Sequence, residues 1–389
     1  MKRLLLISLN TLLTSTLPLF TWILLGVIVR PEISNVFSLT YPMAFIYVMN
    51  VAIFAVGANI TARKIKDKNV IMTNLMVGSI FTGGFTLIMC VLVDWYLGLM
   101  GVAAVDYRDF VVYSLIRSGL ATIISMISQK LYYRNEIRKS NNMNVMFGVV
   151  DFILIVGLNM LIDSHVAIII TLVVDTVVTV VYLAKNHERW KFRLSAWNNI
   201  KNSSFEILDN LGMFVAYGVG FSHSFSYGQK YLDATNFETL ITDSQWDMLN
   251  ESLHTVAKVD VTENKFDYSK LRKASFGFMG ILVISMVVMG GALYWYYQPD
   301  LPLLATMLMT QLVDMAMSIV YYIKFDYLQI NDNRKAHNAV ILLTRVVRVV
   351  CAFLPTGFCV YIGQLASTSI KYVYAGVVCR KFKAFRRLR

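Results

Sequence analysis

Apolar runs of about 20 residues follow one another along this chain, and their length fixes what it folds into. A helix rising ~1.5 Å per residue needs about 20 residues to cross the ~30 Å hydrocarbon core of a bilayer. Runs of that size lie near 4–29, 36–62, 70–98, 109–133, 143–162, 165–185, 205–227, 276–297, 303–326, 339–362 and 365–382. Hydrophobic residues make up 57% of the 389 and charged ones only 15%, with a mean hydropathy of +0.57. That is more apolar surface than a water-soluble core absorbs, which excludes an ordinary soluble enzyme. The first run is too long for a signal-peptide core and lacks a small-residue cleavage pattern, so it reads as a retained helix with Met1 as the mature start. Cys90, Cys351, Cys359 and Cys379 all fall in or at the end of apolar runs without metal-like spacing, and read as buried free thiols.

A twelfth span is polar. Within LDATNFETLITDSQWDMLNESLHTVAKVDVTENKF the second half, about 245–262, crosses only if protein shields its polar face. The alternative is an amphipathic helix on the membrane surface, which leaves an odd count of spans. Loop charges favour crossing, because Lys and Arg beside spans stay cytoplasmic. With twelve spans and the amino terminus inside, MKR, RKIKDK, RNEIRK, KNHERWKFR, ENKFDYSKLRK, INDNRK and CRKFKAFRRLR all lie inside. The outer segments keep isolated bases such as Arg30, Arg108 and Lys230. They also hold Asp94, Asp106, Asp109, Asp163, Asp233, Glu238, Asp243, Asp247 and Asp300. Topology thereby accounts for most of the +12 net charge, with anionic lipid headgroups rather than nucleic acid as its counterpart. The expectation is an all-α, multi-pass protein of the cell's inner (plasma) membrane with both termini cytoplasmic.

The chain also repeats itself. NEIRKSNN at Asn135 to Asn142 recurs as NDNRKAHN at Asn331 to Asn338, displaced by about half the chain. Both copies follow an even-numbered span, the fourth and the tenth, which implies two parallel six-helix lobes related by an axis along the membrane normal. The expected division is a lobe at 1–186, an interfacial linker at 187–202 carrying Trp190 and Trp197, and a second lobe at 203–389. Twelve spans in two such lobes suggest a transporter with a central cavity opened alternately to each side.

The second span ends FAVGANITARKIKDKN, which resembles the second-helix ending of the multidrug and toxic compound extrusion (MATE) family through Gly57 and Arg63, without the family's turn glycines. FEILDNLGMF resembles the seventh-span segment with an intramembrane acid, which places Asp209 there. QLVDMAMSIVYYIKFDYLQINDNRK resembles the tenth-span segment with a midmembrane Asp, which places Asp314 there. In the fifth span, GVVDFILI puts Asp151 where the family has Asn and Ile155 where it has an acid. The first span offers Asn10, Thr11, Thr14, Ser15 and Thr16 in place of the Asp of many prokaryotic members. The resemblance implies a MATE-like, V-shaped pair of lobes in the superfamily that also holds oligosaccharidyl-lipid and polysaccharide flippases.

The acids carry meaning without that resemblance. A carboxylate in hydrocarbon costs at least about 2.5 kcal/mol, so one in mid-span faces a cavity, a partner or a proton. Asp151, Asp175, Asp209 and Asp314 qualify. Helical spacing sets Thr171 and Thr179 on the face of Asp175, and Thr310 and Gln311 on the face of Asp314. Such clusters suit Na+, and a buried carboxyl alone suits H+. The bland reading is pairing with an intramembrane base, and Arg117, Arg345 and Arg348 are at hand. Those arginines, with Lys258, are also candidate ligands for an anionic substrate, although for Arg345 and Arg348 snorkelling to the inner headgroups is the favoured reading. HExxH, GxSxG and GxxxxGK[ST] are all absent, and the five histidines are scattered.

The sequence therefore predicts a non-enzymatic secondary transporter without cofactor, acting as a monomer and exporting a small amphipathic solute in exchange for Na+ or H+. A flippase for an anionic lipid-linked saccharide is the main alternative, and a membrane-embedded transferase the next.

Overall fold

A computed structural model describes residues 17–382 apart from 135, 187–190, 194, 263 and 333, together with Phe385. Helices make up most of the described residues, with no strand among them. Helix α1 is Leu17–Ile28. After a 3-10 turn at Pro31–Asn35, α2 (Val36–Val51) runs through a π segment at Ala52–Gly57 into α3 (Ala58–Ile65). The order continues with α4 (Asn69–Val91), α5 (Val93–Leu99), α6 (Ala104–Tyr133), α7 (Ile137–Asn159) and α8 (Ser164–Lys185). Then follow α9 (Ala196–Asn202), α10 (Ser204–Phe225), α11 (Gln229–Thr262), α12 (Tyr268–Tyr297), α13 (Leu301–Asn331), α14 (Arg334–Cys351) and α15 (Cys359–Cys379). Among the described residues, seven stretches are both long and apolar enough to cross a membrane: Pro31–Ala62, Asn69–Val91, Ala104–Leu131, Asn142–Asn159, Ser164–Lys185, Tyr268–Tyr297 and Leu301–Leu328. The chain is a multi-pass membrane protein.

Local chemistry explains the boundaries. Asp163, Asp267 and Asp300 cap α8, α12 and α13 by accepting from the backbone N–H of His165, Lys270 and Leu303. Gly228, at φ +121°, makes the sharp turn from α10 into α11. The run expected at 70–98 breaks at Leu92 into α4 and α5. The run expected at 339–362 ends at Cys351, because Pro355 and Gly357 occupy the turn before α15.

The largest correction concerns the polar stretch. It is one unbroken helix, α11, beginning at Gln229 and not near 245. At ~1.5 Å per residue this 34-residue helix is about 50 Å long, more than a bilayer core requires. Phe237, Ile241, Leu249, Leu253, Val256 and Ala257 form a stripe on one face and pack against Leu271, Phe278, Leu282 and Met286 of α12 and Met315, Ile319 and Ile323 of α13. Glu238, assigned to an outer segment by the sequence, is buried inside this helix. Asp233, Asp243 and Asp247, expected in the same outer segments, also belong to α11, whereas Asp94 pairs with Arg108, Asp106 with Arg30, and Asp109 bonds His165, all exposed.

Contacts divide the chain into two compact units, Phe20–Gly218 and Val219 onward, the latter also taking in Leu17–Leu19. The division falls inside α10, where the sequence reading placed it after residue 202. In the first unit α6 is central and packs on α2, α4, α7 and α8. In the second, α13 packs on α11, α12 and α15, and α14 lies on α15. The repeated motif marks the α6–α7 junction in the first unit and the α13–α14 junction in the second. Large apolar side chains face outward, among them Val173 and Val177 of α8 and Ile284, Val287 and Val288 of α12. A water-exposed protein does not carry such bands, whereas lipid tails solvate them.

Candidate functional site

Each unit buries its own polar cluster. In the first, α6 contributes Tyr113 and Arg117, α7 contributes Asp151 and α8 contributes Asp175. Arg117 Nε donates to Asp151 Oδ2 at 2.6 Å, and Tyr113 Oη donates to Asp151 Oδ1 at 2.5 Å. Asp175 is fully buried, within electrostatic reach of Asp151 and Arg117. Neither of its carboxyl oxygens accepts a hydrogen bond from the described residues. Two carboxyls thus share one guanidinium, and one negative charge is left over if both are ionised. A proton or a small cation removes that excess, which hydrocarbon penalises.

The second unit's cluster joins α11, α13 and α15. Glu238 accepts from Thr242 Oγ1 at 2.7 Å and from Tyr361 Oη at 2.9 Å. Asp314 Oδ2 accepts from Gln364 Nε2 at 3.0 Å, and the same amide donates to Gln311 Oε1 at 2.7 Å. Gln311 also lies beside Glu238, so it links the two acids. Asp314 Oδ1 accepts no hydrogen bond from the described residues. Neither acid belongs to an ion pair among the described residues. An apolar cleft of about 430 Å³ adjoins this cluster; Thr242 and Gln311 are at its edge, and Ile241, Val283, Val287, Leu304 and Leu308 are among its walls.

The expected site residues sort as follows. Asp151, Asp175 and Asp314 are buried in clusters, and Gln311 stands beside Asp314 as its spacing implied. Thr171 and Thr179 share the buried face of Asp175, but their hydroxyls donate to the carbonyls of Ala167 and Asp175 within their own helix. Thr310 likewise bonds Thr306 O and stays outside the Asp314 cluster. Asp209 is half-buried on α10, in the Phe20–Gly218 unit, whereas Asp314 is in the other. The partner of Asp314 within its own unit is the Glu238 cluster. Arg117 is committed to Asp151, and Arg348 Nε donates to Ser367 Oγ at 3.1 Å on α15. Arg345, one turn earlier, is half-buried. The side chains of Lys258 and Arg63, and residues Asn10 to Thr16, lie outside the described residues. Among the described residues no group of three His, Cys, Asp or Glu could hold a metal. Glu238, Tyr361 and Gln364 escaped sequence reasoning; the available signal was the apolar stripe from Phe237 to Ala257, which marks the whole stretch as one helix.

This arrangement of helices is the fold of MATE-type transporters. The similar solved structures include an inward-facing multidrug resistance MATE family transporter of the MOP superfamily, at 13% identity and a TM-score of 0.68, with 96% of each chain covered. An outward-facing multidrug resistance MATE family transporter of the same superfamily matches at 14% identity and a TM-score of 0.67, covering 97% of this chain and 96% of that one. The lipid II flippase MurJ in an inward closed conformation matches at 10% identity and a TM-score of 0.68, with 97% and 88% covered. No protein-family model and no curated protein sequence matches the chain.

Proposed function

We propose that this protein is a secondary transporter that exports an amphipathic solute across the cell's inner membrane, driven by H+ or Na+ at its buried acids. The observation that carries the reading is the charge imbalance of the Arg117, Asp151 and Asp175 cluster. One guanidinium neutralises one carboxylate, so the second is costly until a proton or cation reaches it. The Glu238 and Asp314 pair, with Gln311 and Gln364 between them, supplies a second site of the same kind. Loading either site removes a charge from the membrane interior, and a conformation that buries the site more deeply is favoured only when it is loaded. The apolar cleft beside this cluster suits the greasy part of a solute, with Thr242 and Gln311 as the polar groups that line it.

The MurJ likeness favours a second reading, a flippase for an anionic lipid-linked saccharide. Arg117 speaks against it, since its guanidinium is already neutralised by Asp151. Export is tested in proteoliposomes loaded with a fluorescent cationic rhodamine dye under an imposed H+ or Na+ gradient. Asp175→Asn is expected to abolish the gradient response while leaving dye binding in detergent within about twofold. Gradient-driven export by Asp175→Asn at the parental rate rejects coupling at this cluster.

A further inference from the structure

A cleft of about 440 Å³ lies where α12 begins and α13 and α15 finish, the end that carries the basic loops. It concentrates cations. Arg272 of α12, Lys324 of α13 and Arg380 at the end of α15 all line it, with Tyr268, Tyr372 and Phe385 as aromatic walls. Lys324 Nζ lies 5.7 Å from the Tyr268 ring centroid and 5.8 Å from that of Tyr372, and the Arg272 guanidinium lies 5.5 Å from the Tyr268 ring. Three like charges in one cleft repel one another, and a group that binds there is rewarded for carrying negative charge. No ion pair of the described residues includes Arg272 or Lys324. Of the nearby acids, Asp332 pairs with Lys381 at 2.6 Å, and Asp267 accepts from the N–H of Lys270.

We propose that this cleft binds the phosphate group of an anionic phospholipid. Arg272, Lys324 and Arg380 meet the phosphate oxygens, and charge-assisted bonds of this kind are short and strong. Position and wall chemistry select a lipid over a soluble phosphate. Val373 and Val377 also line the cleft, and both are more than half exposed on the lipid-facing side of α15, giving an acyl chain a path down from the headgroup. Phe385 packs on Phe266, Tyr268 and Tyr327 and so forms part of the aromatic wall of the cleft. The bound lipid would thereby tie α12, α13 and α15 together at one end of the unit. Gly376 faces the cleft beside Lys324: a Cβ built there stands in ordinary contact, 3.9 Å from Lys324 Nζ, so a larger side chain at this position fills the space the phosphate needs.

The test uses the full chain in detergent with a fluorescent phosphatidylglycerol as probe. The variants are the double substitution Arg272→Gln with Lys324→Gln, Gly376→Leu, and Lys335→Gln, an exposed base at the same end. The double variant and Gly376→Leu are each expected to weaken phosphatidylglycerol binding at least tenfold, with Lys335→Gln unchanged and phosphatidylcholine bound equally weakly by all. Gly376→Leu keeps every charge, so headgroup snorkelling alone predicts no effect from it. Parental binding by Gly376→Leu and by the double variant overturns the proposal. Displacement of the probe by inorganic phosphate at concentrations comparable with the lipid overturns the lipid assignment in favour of a soluble phosphate compound.

Discussion

Arg117 holds Asp151 at 2.6 Å, across the α6–α7 interface, while Asp175 on α8 is left with no donor among the described residues. One aspartate is thus a structural partner and the other a chargeable one. Removing one member of a buried pair strands the other, at a cost of about 3–5 kcal/mol. Arg117→Leu is expected to lower the thermal midpoint in detergent sharply. Arg117→Leu combined with Asp151→Leu should recover most of that loss, because the one acid left in the cluster, Asp175, is neutral once it takes up a proton. A double variant as unstable as the single one shows that the pair does more than neutralise itself.

Glu238 and Asp314 are joined through Gln311 and Gln364, and groups that act as a unit respond non-additively. Glu238→Gln and Asp314→Asn are each expected to reduce gradient-driven dye export at least tenfold. The double variant should be no worse than the stronger single one. Multiplying defects would place the two acids in separate steps.

Gly57 lies under the short helix α9. A Cβ at Gly57 collides with Ser203 Oγ and comes within 2.8 Å of the Asn199 carbonyl. Asn199 donates to Asn74 Oδ1 at 2.6 Å, and Ser203 donates to the Ala52 carbonyl at 2.6 Å in the π segment. Gly57→Leu therefore displaces the linker and leaves these buried groups unpaired, each costing about 1–3 kcal/mol. Faster proteolysis of the linker at unchanged global fold is the expected result; parental resistance contradicts the close contact.

Asp67, in the turn between α3 and α4, ties the linker by another route. The backbone N–H of Asn69 donates to it at 2.9 Å and Arg193 donates to it at 2.6 Å. The Asn69 hydrogen bond above all, with Arg193 adding its charge, holds the carboxyl below its ordinary value. A depressed carboxylate stabilises the fold above the unfolded-state value and loses that contribution as pH falls through the folded one. The difference in thermal midpoint between the parent and Asp67→Asn should be present at pH 7 and vanish at acid pH, below the ordinary aspartate range. A difference independent of pH would assign the effect to packing.

How far the site was legible follows from one physical contrast. Asp151, Asp175 and Asp314 stand out because a charge inside an apolar run is conspicuous in one dimension. Glu238 sits among Thr235, Asn236, Thr239, Thr242 and Asp243, where polarity hides it, and it reads as an outer-loop residue. Thr171 and Thr179 show the opposite limit: periodicity put them on the right face, yet their hydroxyls serve their own backbone.

The sequence by itself determined the membrane character, the helices, the duplicated junction at Asn135 and Asn331, and the basic end. Those follow from local quantities: apolar length, loop charge and self-similarity. Only the tertiary structure decided that Asp151 takes Arg117 and leaves Asp175 bare. It also decided that Glu238 meets Asp314 through two glutamines, and that Arg272, Lys324 and Arg380 converge on one cleft. Pairing depends on which helices are neighbours and how they are rotated. The lipid that solvates their outer faces imposes neither, so side-chain packing at the helix interfaces had to settle both.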